Sequence, residues 1–228
     1  MATDVVDRTF VDSVLKELVH PAAERLMDSR YFTDLRNGKL TIRRMQGFSL
    51  QHTWFNRGLL KGGALRMIKA SDNDAAFLDA LSGTHGEITH PDMCKRFGLS
   101  LGLSEEEFDT EAPLLEVVAH TSVIVASPLL FANAAAGRAS SMSDETIVQR
   151  YSTEFAEYLA RPPYSMSEAA LEFFIVHSKV DIDHSAAAAL AVARLAVTDR
   201  DKELVWERVE MKVRLKLAKW EAIYDHYA

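Results

Sequence analysis

Apolar residues recur along this chain mostly at steps of three and four, the period of a helix that buries one face. Val11, Val14, Leu15 and Leu18 open the pattern, and Pro21 and Ala22 restart it into a second run through Leu26. Asn37 and Gly38 mark a turn. From Thr41 a long helix carrying Met45, Phe48, Leu50, Trp54, Phe55, Leu59 and Leu60 is predicted to end near residues 71–73, with Gly58, Gly62 and Gly63 as its weak positions. Shorter helices are predicted over 74–82 and 91–101, with Gly102 as a stop and 104–108 as a helical turn. Pro113 opens an apolar run to about residue 136 with Pro128 as a kink, and Ser143 with Asp144 and Glu145 reads as the start of a further helix to about residue 160. Arg161, Pro162 and Pro163 break it. Ser165 or Ser167 caps a helix predicted over 168–197, and a last helix over 199–224 places Leu204, Val205, Val209, Val213, Leu217 and Trp220 on one face. Strand-like alternation is hard to find, so the chain reads as all-α.

Composition supports that reading. Only 10 Gly and 6 Pro occur in 228 residues, and no linker-like stretch or repeat divides them, so one domain over 1–228 is expected. The net charge of −7 and the even spread of basic residues argue against a nucleic-acid partner. Cys94 is the sole cysteine, which excludes an internal disulfide and a thiolate metal cluster and suits a reducing cytoplasm. The N-terminal residues lack a signal-like apolar core, and the longest stretch without ionisable residues, 121–137, is short for a membrane span, so no membrane association is expected. Glycine-rich phosphate loops are absent.

The chemistry concentrates in Phe173-Phe174-Ile175-Val176-His177-Ser178-Lys179-Val180-Asp181-Ile182-Asp183-His184. Offsets of four and three bring His177, Asp181 and His184 within roughly a 60° sector of one helix face. Neighbours rich in Phe, Ile, Val and Ala imply that this face is interior, where ionisable groups need pairing or a metal. The alternative is a hydrogen-bonded core cluster in which Asp181 satisfies one imidazole. Glu87 and His90 form a Glu-x-x-His spacing of the kind that helical di-iron sites use, although His90 also suits a helix start. His85 falls at a different angle and reads as surface. Glu145 is the remaining carboxylate donor of choice, against a plain first-turn acidic pair that favours a helix dipole. Carboxylates and imidazoles without thiolate suit iron, with manganese possible. Trp54, Phe55 and Phe131 are candidate pocket walls, and Arg57 or Lys61 could bind a substrate carboxylate. Cys94 reads as a packed or exposed thiol.

The segment from Phe173 through His177 and Asp181 to His184-Ser185 resembles the late-helix ligand motif of the haem-oxygenase-like di-iron oxidases and oxygenases, a superfamily that includes thiaminase-like and pyrroloquinoline-quinone-synthase-like proteins. His90-Pro91-Asp92-Met93, with Phe97 and Leu101-Gly102-Leu103, is similar to its histidine-bearing helix and Gly-Leu turn. The resemblance implies a bundle of about seven or more helices. It also implies metal-ligand roles for Glu87, His90, Glu145, His177, Asp181 and His184, and two Fe(II) ions that react with O2. A small amine, amino acid or fatty acid as substrate, an external reductant and a homodimer are further implications. Two positions depart from the pattern: Gly83 stands where many members carry a glutamate, and Asp144-Glu145 replaces an aromatic-Glu pair. A metal-free thiaminase-like or quinone-synthase-like enzyme and a non-catalytic helical partner protein are the competing readings.

Overall fold

The computed structural model describes residues 6–69, 72, 74–130 and 133–228, the side chains of 75, 76, 79 and 126–130 excepted. The described residues form helices α1 (Thr9–Val14), α2 (His20–Met27), α3 (Arg30–Arg36), α4 (Ile42–Lys69), α5 (Asp74–Gly86) and α6 (His90–Ser100). They continue with α7 (Glu105–Thr110), α8 (Leu115–Leu130), α9 (Ala134–Leu159), α10 (Glu172–Leu195) and α11 (Asp199–His226), and no strand occurs among them.

The restart expected at Pro21 takes the form of a π-helical turn over Leu15–Val19, in which the His20 N–H reaches back to the Leu15 carbonyl. Proline has no N–H to continue an α-helical ladder, and the wider turn absorbs that defect without a break. The Asn37-Gly38 turn is present, with Gly38 at φ +67° against the Pro163 ring. Helix α4 runs unbroken through Gly58, Gly62 and Gly63, as it does through Gly47. A Cβ on Gly58 would stand 2.3 Å from Thr121 Cγ2, and one on Gly63 would stand 2.2 Å from Thr84 Oγ1. The glycines are the seats on which α8 and α5 rest.

Two expected helix starts fail. The helix expected from residue 168 under a Ser165 or Ser167 cap begins at Glu172, with Leu171 at its cap position and no side-chain cap. Residues 143–145 do not begin a helix: α9 starts ten residues earlier, where the Asn133 side chain accepts from the Ala136 N–H, and Ser143 and Asp144 are buried in its middle. The acidic pair is therefore not a first-turn dipole partner.

A continuous aromatic core joins six helices. Trp220 of α11 stacks on Phe48 of α4 at 5.1 Å and meets Tyr31 of α3 edge-on at 4.9 Å. Phe155 of α9 stacks on Phe174 of α10 at 4.3 Å, and Phe97 of α6 meets Phe174 at 4.9 Å. Such offset and edge contacts add about 0.5–1.5 kcal/mol per pair beyond burial. They fix α9, α10 and α11 against α4 and α6, and the polar side chains described next lie on those helices or, for Glu87, in the turn ahead of α6. No helix among the described residues is long and apolar enough to cross a membrane.

Candidate metal centre

His177 and Asp181 occupy successive turns of the buried face of α10. His177 Nδ1 lies 2.6 Å from the Phe173 carbonyl, which makes Nδ1 the protonated nitrogen and leaves the Nε2 lone pair exposed to the site. That Nε2 faces His90 Nδ1 at 3.4 Å, across the contact of α10 with α6. His90 Nδ1 is also 2.6 Å from Glu87 Oε2. Glu87 reaches it from the turn ahead of α6 and not from a shared helix face, with the His90 N–H bonded to the Glu87 carbonyl. His90 is itself the first residue of α6, after Thr89 at the cap position.

Two carboxylates complete the cluster. Asp181 is 3% exposed and its Oδ2 has no hydrogen-bond partner, and Oε2 of Glu145 is likewise buried and unpartnered. Burial raises both acids to about 8. For Asp181 the repulsion of Glu145 and then Glu87 adds to it, and for Glu145 the repulsion of Glu87 adds while Arg138 and Arg66 pull it back. Desolvation, helped by His90, lowers His177 to about 4, so its imidazole is neutral at physiological pH. Glu87, Glu145, Asp181 and His177 therefore offer lone pairs in excess of the available protons. A buried surplus of acceptors is the demand that a cation meets. Carboxylate oxygen with imidazole nitrogen and no thiolate fits iron or manganese.

His184 stands at the rim. Its side chain is 52% exposed, and its Nδ1 is 3.8 Å from Asp181 Oδ1. Among the described residues no group of three or more His, Cys, Asp or Glu side chains is placed to hold a metal ion. His85 is exposed, as the sequence implied.

The candidate pocket residues scatter. Phe55 is buried, stacked on His120 at 4.9 Å, and Trp54 is half-buried on the same helix. Arg57 turns to the end of α7, where it meets the Phe108 carbonyl and Asp109, and Lys61 is exposed. Phe131 lies outside the described residues. Cys94 is fully buried, and its thiol is pushed up to about 12 by desolvation, so it is a packed thiol and not a nucleophile.

Sequence reasoning missed a second polar cluster. Lys212, Lys216 and Lys219 of α11 are at most 1% exposed, and with His52, His120 and Asp144 they lie between α4, α8, α9 and α11. Their spacing of four and three was readable, but it falls in a helix whose abundant charges look solvated.

An all-helical bundle with a buried carboxylate and imidazole cluster defines the class: a haem-oxygenase-like fold carrying a candidate metal site. The chain belongs to the family of iron-containing redox enzymes, whose sequence model matches residues 69–217. Its structure is similar to a domain of unknown function with a heme oxygenase-like fold from Shewanella denitrificans, at a TM-score of 0.84 and 17% identity, covering 98% of this chain and 94% of that one. It is also similar to a TenA homologue from Pseudomonas syringae (TM-score 0.80, 12% identity, 95% and 93% covered). A TenA homologue from Pyrococcus furiosus matches as well (0.78, 16% identity, 94% and 100% covered). These likenesses concern the fold. No curated protein matches the sequence.

Proposed function

We propose that the chain is a non-haem di-iron, O2-dependent oxidase or oxygenase acting on a small amine, amino acid or fatty-acid-like molecule. The observation that carries this reading is the run of contacts from Glu87 to His90 to His177, together with one carboxylate oxygen each of Asp181 and Glu145 left buried and unpartnered. These residues, with His184 turning in from the rim, would hold the metal. Iron, when bound, supplies the one-electron chemistry with O2 that amino-acid side chains lack.

The chain's own residues do the rest. The Phe173 carbonyl fixes the His177 ring and aims Nε2 inward. Phe173, 4.2 Å from the His177 ring, and the neighbouring aromatic core keep water away. Asp181 and Glu145 release protons as a cation arrives, which ties metal uptake to pH. An external reductant and a second copy of the chain are part of the proposal.

Anaerobic Fe(II) titration with metal quantification tests it. Wild-type protein is expected to bind about two ions per chain and then to consume O2. In His177→Ala and His184→Ala at least one ion is lost in each; wild-type iron content in both variants overturns the ligand assignment.

A metal-free acid–base enzyme of the same fold is the second reading. The contact of two imidazoles, His90 and His177, at 3.4 Å favours it. Metal analysis of freshly purified protein separates the two, since only the first requires iron to be retained.

A further inference from the structure

The lysine cluster is the electrostatic inverse of the metal candidate. Lys216 Nζ donates to Asp144 Oδ1 at 2.6 Å and to the Asp144 carbonyl at 3.1 Å. Lys212 Nζ lies 3.6 Å from the same Oδ1, beyond a hydrogen bond, and has no hydrogen-bond partner. Lys219 Nζ reaches only the lone pair of His52 Nδ1, at 3.3 Å, and sits 4.3 Å over the Phe55 ring. His120 is fully buried with neither ring nitrogen hydrogen-bonded, its Nε2 3.8 Å from Asp144 Oδ1.

Counted as charge, Asp144 neutralises one of three buried ammonium groups. Desolvation lowers Lys212 to about 8 and Lys219 to about 7, and it keeps His52 and His120 neutral. At least one buried positive charge near neutral pH is then unmatched, and isolated buried charge is costly. An evolved core has no structural use for that cost, because methionine would fill the same space without it. The unmatched charge and the free N–H donors call for one negative charge with several acceptor lone pairs.

We propose that Lys212, Lys219 and His120, with Lys216 anchored on Asp144, form a buried subsite for a single carboxylate of an organic ligand. That this ligand is the substrate rests on the oxidative reading; the subsite does not. Placement supports the link. The His52 ring meets the Phe173 ring at 5.3 Å, and Phe173 meets His177 at 4.2 Å, so the two clusters are separated by one aromatic side chain. Asp144 and Glu145 are successive residues of α9, one in each cluster. A ligand with its carboxylate on the lysines would extend its carbon chain toward the iron candidates.

The test uses metal-free protein and compares sodium butyrate with butyramide, with sodium chloride and phosphate as controls for inorganic anions. Butyrate is expected to raise the Tm by several degrees at saturation, with butyramide and chloride inert. Lys212→Met and Lys219→Met each weaken butyrate binding at least tenfold, while Fe(II) stoichiometry stays at the wild-type value. Equal response to butyrate and butyramide, response to phosphate alone, or undiminished binding in Lys212→Met overturns the subsite. If Lys212→Met does not fold, Lys212→Gln and the wild-type butyrate and butyramide contrast decide. Loss of iron binding with butyrate binding intact sinks the oxidative reading and leaves the subsite; the converse removes the subsite alone.

Discussion

At the scale of residues, the carboxyls of Asp181 and Glu145 make the firmest prediction. Both are raised to about 8, so each is protonated at neutral pH without a cation and must lose that proton to bind one. Fe(II) affinity is therefore expected to climb by up to about tenfold per pH unit for each proton released, and to flatten above about pH 8. Fe(II) titrations in weakly and strongly buffered solution between about pH 6 and pH 9 check it, with proton release measured alongside. A flat profile would mean that these acids do not meet the metal. His177 and Asp181 were legible in the sequence because helical spacing alone puts them on one apolar face. Their partners were less so. Glu87 reaches His90 from a turn, and Glu145 gains its place from the middle of a helix whose start was misread, because Ser143-Asp144-Glu145 imitates a cap.

At the scale of elements, the approach of α8 to α4 depends on Gly58. Its replacement by alanine gains about 0.8–1.0 kcal/mol of helix propensity but drives a methyl group into Thr121 Cγ2, a strain typically costing about 1–3 kcal/mol. A net loss of up to about 2 kcal/mol is expected for Gly58→Ala by urea denaturation. Adding Thr121→Ser removes the obstructing methyl and should restore most of it. A single variant at least as stable as wild type would show that the helices can part without cost. The same glycines look like helix breakers in the sequence. Pattern alone cannot say that a partner helix needs the space, so the boundaries of α4 were legible and the reason for its glycines was not.

At the scale of the whole molecule, two polar compartments tilt stability in opposite directions with pH. The raised carboxyls contribute most below their unfolded values near 4, and that contribution is lost as pH rises through about 8. The lysines do the reverse. Their folded values lie below the unfolded 10.5, so the penalty of keeping them charged inside is full below about 7 and is relieved as pH rises toward 10.5. Lys219→Met should therefore raise the Tm of metal-free protein most at about pH 6, with the gain shrinking above about pH 7. A gain independent of pH would mean that the ammonium group is not the source of the penalty. The all-helical fold was legible from periodicity. The second compartment was not, since lysines on a charged terminal helix carry no mark of burial until neighbouring helices close over them.

Helix α9 is the partition between those compartments, and its resolution is a single peptide unit: Asp144 serves one side and Glu145 the other. Neighbouring side chains diverge by about 100° around a helix axis. Adding one amino acid upstream would turn the wall like a revolving door, handing the carboxylate meant for the lysines to the side of His177 and Asp181, and deleting one would do the reverse. The chain can therefore vary what it writes along α9 far more freely than how many letters it uses.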